Sequence, residues 1–110
     1  MSDINRRNFF RLYYSDSTFP VFRANGKEYR VCDISEEGLR FKNNSKSGLS
    51  IDESVAGTLN FRDGETFLLR GTISRVSADD VILKLKTPIP LRKIMEEQRL
   101  IIGRFPKKAI

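Results

Sequence analysis

"SVAGTLNFRDGETFLLRGTISRVSADDVILKLKT", residues 54–87, decides the fold class. At its end Val81, Leu83 and Leu85 alternate with Ile82, Lys84 and Lys86, the period of two that a half-buried strand requires. Asp63-Gly64 and the polar "SADD" at 77–80 interrupt the run at hairpin spacing, so the stretch reads as a three-stranded antiparallel meander. Further upstream, Asn25-Gly26 is a tight-turn pair, because both residues tolerate the positive φ of a two-residue hairpin. "KEYRVCDI", 27–34, follows as a strand, and strict alternation puts Tyr29, Val31 and Asp33 on one face, with Arg30, Cys32 and Ile34 on the other. After a bend at Gly38, "LRFK" is the next strand, and "RLYYSDSTFPVFRA", 11–24, supplies one strand or two short ones broken near 15–17. The Ser-, Asn- and Gly-rich "NNSKSGLSIDES", 43–54, is the one long loop. Strands joined this closely form an antiparallel barrel or a sandwich.

The pattern changes at Pro88 and Pro90. Leu91, Ile94, Met95, Ile101, Ile102 and Phe105 fall at helical spacing, with Gly103 and Pro106 marking the end. The expectation is an all-β domain with a C-terminal helix, the helix lying as a lid with Lys93, Glu96, Glu97 and Arg99 in water. Residues 1–10 read as a flexible Arg-rich arm, 11–87 as the β domain and 88–106 as the helix.

A chain of 110 residues holds one hydrophobic core and not two. Its longest apolar runs are too short to span a bilayer, no secretory apolar segment opens it, and its single cysteine, Cys32, has no internal partner for a disulfide. A cytoplasmic location without membrane insertion is expected. The net charge of +6 favours anionic partners. Histidine is absent, which removes the usual neutral-pH base and a common metal ligand, so an enzyme, a metal site or a cofactor site is not expected.

Two short motifs carry chemistry. "DISEEG", 33–38, is D-x-S-x-x-G, a pattern expected about 0.04 times by chance at this composition. If the strand persists through Ser35, Asp33 and Ser35 leave the same face, while Gly38 permits a turn or bulge and removes a Cβ that would keep a ligand away. The plainer reading is a hairpin turn in which Asp33 and Ser35 bond their own backbone. "RNFFR", 7–11, is R-x-x-x-R, a spacing that arginine-rich chains produce by accident and that also suits a solvated basic arm. Phe9 and Phe10 between the arginines suit anchoring of the arm on the barrel.

Taken together, the two motifs resemble the PilZ domain, a bacterial family that binds cyclic di-GMP through R-x-x-x-R ahead of the barrel and [D/N]-x-S-x-x-G within it. The similarity extends to "YRVCDISEEGLRF", to the glycine-containing "LRGTISRV" and to a C-terminal helix, nearly the whole chain. It implies a six-stranded antiparallel barrel of PilZ type. It also implies a cyclic di-GMP site made of Arg7, Arg11, Asp33, Ser35 and Gly38. Arg6, directly before the pair, is similar to the arginine that holds an intercalated ligand dimer in place of a single molecule. The implied function is a receptor acting on a motility, exopolysaccharide or virulence protein. With R-x-x-x-R so near the N-terminus, no upstream domain is expected, and ligand is expected to order the arm. Other readings are a PilZ-like adaptor that binds only proteins, or a basic barrel binding RNA or DNA; nucleic acid is not the expected partner. Ligand stoichiometry and homodimer formation stay open.

Overall fold

The computed structural model describes residues 10–43 and 47–104. Its elements are β1 (Leu12–Tyr13), β2 (Val21–Ala24), β3 (Lys27–Ile34), β4 (Gly38–Lys42), β5 (Ser54–Asn60), β6 (Thr66–Val76), β7 (Asp80–Leu85) and α1 (Leu91–Arg104). Every strand pairing is antiparallel, in the order β1-β3-β2-β5-β6-β7-β4, and an additional β3–β4 pairing closes the sheet. Six strands thus form a closed barrel, and β1 is a short extra strand sharing the β3 edge with β2. Closure leaves the six barrel strands without a free edge.

The turn chemistry follows the sequence. Asn25 and Gly26 both have positive φ, 54° and 77°, and Ala24 pairs with Lys27 across them as in a type I′ hairpin. Alternate residues fill the interior: Phe22, Val31, Phe41, Leu59, Ile73, Val81 and Leu83 have no exposed surface, and Tyr29 stacks tilted on Phe41 with centroids 4.7 Å apart. The 14–20 segment separates β1 from β2, as the polar break predicts.

The helix differs from its expected orientation. Pro88 and Pro90 precede it, and the Pro90 carbonyl accepts from Lys93 N–H at 2.9 Å. Lys93 and Glu97, expected in water, are buried, whereas Leu91, Met95 and Ile102 of the expected apolar face are exposed. Ile94 is buried and Ile101 packs partly against the core. The physical reason lies at the β5–β6 turn: Lys93 Nζ sits 4.6 Å from the Phe61 ring centroid and donates to Asp63 Oδ2 at 2.7 Å, with Glu65 Oε1 at 2.9 Å. An apolar stem over an aromatic ring and a head among carboxylates let a lysine face the barrel. Glu96 is half-buried and Arg99 is exposed. Phe105 and Pro106, assigned to the helix end from sequence, lie outside the described residues, as do 1–9 of the arm.

Candidate nucleotide site

The site begins with a change of register. Val31 pairs with Phe41, but Asp33 pairs with Arg40, so Cys32 is an extra residue in β3. This bulge corrects the strict alternation read from the sequence. Before it Tyr29 and Val31 face the core; after it Ile34 does so, level with Leu12 and Leu39. Asp33 is displaced to the outer face between Tyr13 and Arg40. The carboxylate is nevertheless fully buried, because side chains roof it: Arg11 Nη1 donates to Oδ1 and Arg40 Nε donates to Oδ2 at 2.6 Å. The Cys32 thiol stays a poor nucleophile, since burial pushes its pKa up.

Strand β3 ends at Ile34, so Ser35 is not the strand neighbour of Asp33 that the sequence condition required. It opens a tight turn in which Ser35 N–H donates to the Gly38 carbonyl at 2.9 Å, and its side chain is buried. Gly38 starts β4 without a positive φ, so the turn does not need a glycine there. A Cβ at Gly38 would lie 3.5 Å from Ser35 Oγ and 3.7 Å from Arg11 Nη2, ordinary contacts. The missing carbon therefore leaves space at the meeting point of Ser35 and Arg11. Gly38→Ala is expected to keep the wild-type melting temperature within about 2 °C and, if the site takes the nucleotide that the sequence resemblance implies, to weaken its binding about tenfold or more. Paired melting and titration experiments check this, and loss of stability together with binding would assign Gly38 to the fold.

Arg11, Asp33, Ser35 and Gly38 are thus brought together, while Arg6 and Arg7 lie outside the described residues. Two residues missed by motif reading complete the cluster. Arg40 Nη1 donates to Asp80 Oδ2 at 2.7 Å, and Asp80 Oδ1 accepts from Ser77 Oγ at 3.0 Å. Hydrogen bonds that Arg40 donates to Asp80 and then Asp33 hold its guanidinium more strongly protonated than usual, and Arg40 in turn holds the Asp80 carboxyl below its ordinary range. The signal for Arg40 was the cross-strand pairing, which becomes visible only once the bulge is placed. Asp80 carried no signal beyond the polar turn. Arg75, brought opposite Ile82 by a second irregularity between Ile73 and Arg75, stands in the same row as Arg40.

The cluster is tied to the helix by short links. Tyr14, three residues beyond Arg11, donates its hydroxyl to Glu97 Oε1 at 2.7 Å. Between Ser35 and Gly38, the Glu37 carbonyl accepts from Leu85 N–H at 2.8 Å at the end of β7, and the Glu36 carbonyl accepts from Ile89 N–H at 3.0 Å on the segment leading into α1. A cavity of about 520 Å³ lies on the helix side, lined in part by Thr18, Asp63, Glu97 and Leu100, away from Asp33.

The helix seam titrates in opposing directions. Burial raises the Glu97 pKa against the Tyr14 hydrogen bond and the Lys93 charge. Burial opposes the Lys93 charge, but Asp63 and Glu65 outweigh it and raise that pKa; the Lys93 bond lowers the pKa of Asp63. As pH rises above 4.5, Glu97 ionises first in the unfolded chain, so it removes stability until pH passes its raised folded value. Asp63 and Asp80 act oppositely, losing their contribution as pH falls below 3.8 toward their lowered folded values. Glu97→Gln, which keeps an acceptor for Tyr14, is expected to flatten the decline above pH 4.5 and to leave the acid limb intact. Melting curves across about pH 3 to 8, which spans the ordinary carboxyl values, check this; an unchanged slope above pH 4.5 contradicts it.

With this geometry in place, comparison with known families gives one assignment: the PilZ domain family matches residues 5–103, and the chain belongs to it. No curated protein matches the chain. A PilZ domain is a binding domain of the cyclic di-GMP type, and here it spans nearly the entire sequence. Among the described residues no helix is long and apolar enough to cross a membrane.

Proposed function

We propose that the protein is a bacterial cyclic di-GMP receptor whose ligand is held by Arg6, Arg7, Arg11, Asp33, Ser35 and Gly38. The observation that carries the reading is the contact of Arg11 with Asp33, 22 positions apart in sequence, beside the space left at Gly38. The ligand brings two phosphates and two guanines. A guanidinium can pair bidentately with phosphate oxygens or with guanine O6 and N7, and its plane can stack on a base. The Asp33 carboxylate accepts from guanine N1 and N2 groups, as does the Ser35 hydroxyl. Ligand replaces the Arg11–Asp33 ion pair with contacts that satisfy both groups, so the exchange leaves no buried charge alone.

In this reading the signal leaves through α1. Movement of Arg11 reaches Glu97 through Tyr14, and movement of the 35–38 turn reaches the end of β7 through the Glu37 carbonyl and the helix leader through the Glu36 carbonyl. The changed surface then meets a regulatory, motility or exopolysaccharide protein. Titration calorimetry with cyclic di-GMP tests the reading and counts the ligand molecules bound. Amide exchange in residues 2–10 is expected to slow on ligand addition; equal protection in both states overturns the ordering of the arm by ligand, and absence of heat overturns the receptor.

A further inference from the structure

The two arginines on Asp33 are not equivalent. Arg11 approaches Oδ1 from just before the two-residue β1, and 40% of its side chain is exposed. Arg40, with a similar 32% of its side chain exposed, approaches Oδ2 from the middle of β4, between β3 and β7, but its other end is fixed on Asp80, itself only 14% exposed and held by Ser77. One Arg40 donor, Nε, serves Asp33, and a different one, Nη1, serves Asp80.

This division of donors has consequences for a carboxylate with no exposed surface. If Arg11 were its only cation, transfer of Arg11 to a ligand phosphate would strand a buried charge, a cost that could consume the binding energy. Arg40 keeps a counter-ion in place throughout the exchange. An arginine fork can also take both oxygens of one carboxylate, which would leave each oxygen of Asp33 only its second lone pair for a base. Asp80 prevents that by drawing the Arg40 fork the other way. The two arginines and two aspartates form a charge-balanced quartet before ligand arrives, so only one member needs to move.

We infer that Arg40 and Asp80 are positioning residues that pin Oδ2 of Asp33 and reserve Oδ1 as the exchangeable acceptor for a guanine edge. The inference rests on the cyclic di-GMP reading and adds to it the source of guanine preference. Neither residue belongs to R-x-x-x-R or D-x-S-x-x-G; one is cross-strand from Asp33 and the other stands at the β6–β7 turn.

The test is calorimetric titration of wild type, Asp80→Asn and Arg40→Lys with cyclic di-GMP and with cyclic di-AMP, beside circular dichroism melts of each protein. Asp80→Asn keeps a polar side chain in the turn but gives up the ionic hold on Arg40. It is expected to bind cyclic di-GMP about tenfold more weakly and to lose guanine-over-adenine preference by a similar factor. Arg40→Lys leaves Asp80 in its turn and supplies a cation without a planar fork, so it decides the matter should Asp80→Asn unfold; the same loss of preference is expected. Folded variants with unchanged affinity and preference overturn the inference alone. An equal loss for both nucleotides also overturns it, because a purely structural role would act that way. Failure of wild type to bind cyclic di-GMP overturns the receptor reading and this inference with it.

Discussion

Alanine at Asp33 is expected to reduce cyclic di-GMP affinity by at least about 100-fold, the equivalent of about 3 kcal/mol. Two losses combine. The ligand loses its acceptor for guanine N–H groups, and Arg11 and Arg40 lose the anion that holds them beside the turn. The barrel should survive, because Asp33 faces outward after the bulge while Ile34 and Leu39 keep their places in the core, and both arginines are exposed enough to be rehydrated. Calorimetry with a circular dichroism control checks this. Wild-type affinity in folded Asp33→Ala protein contradicts the site.

The second large effect concerns the barrel itself. Gly71 lies on β6 opposite Leu85, at a point where a Cβ would fall 2.2 Å from the Lys84 carbonyl oxygen. Gly57 on β5 is in the same position, 2.3 Å from the Arg23 carbonyl oxygen. Neither obstacle is a movable side-chain tip; each is backbone of a paired strand, so relief requires opening the closed sheet. Gly71→Ala is expected to cost about 3 kcal/mol or more, at the upper end of overpacking effects, and in a domain of this size to lower the melting temperature by more than about 10 °C. Denaturant unfolding measures it. A variant within 1 °C of wild type would mean that the strands there separate readily (the threshold is well below the roughly 4 °C per kcal/mol expected).

Much of this architecture is legible in the chain because it depends on local chemistry. Asn25-Gly26 specifies its turn by backbone preference, and Val81, Leu83 and Leu85 specify an inner face by period. The unread parts depend on neighbours distant in sequence. Strict period-two counting fails at Cys32, since a bulge is defined by the partner strand, and with it the facing of Asp33 and Ile34 reverses. The buried face of the helix differs from the periodic expectation for a similar reason. Lys93 and Glu97 look solvated in isolation, and only Phe61, Asp63, Glu65 and Tyr14 make their burial affordable. Of the candidate site, Arg11, Asp33, Ser35 and Gly38 were marked by motif, whereas Arg40 and Asp80 are recruited by register. The glycine of "LRGTISRV" belongs to the resemblance, but its physical cause is the approach of the Lys84 carbonyl on the neighbouring strand β7.

The central claim is that ligand meets the chain where Arg11 faces Asp33, and two-dimensional NMR of the labelled protein during a cyclic di-GMP titration addresses it most directly. The largest shifts should fall on the amides of 33–38 and on the Nε–H signals of Arg11 and Arg40, with smaller ones reaching Tyr14 and Glu97. Shifts confined to the cavity beside α1, or spread over the barrel's lysines with the 33–38 amides unmoved, would contradict it.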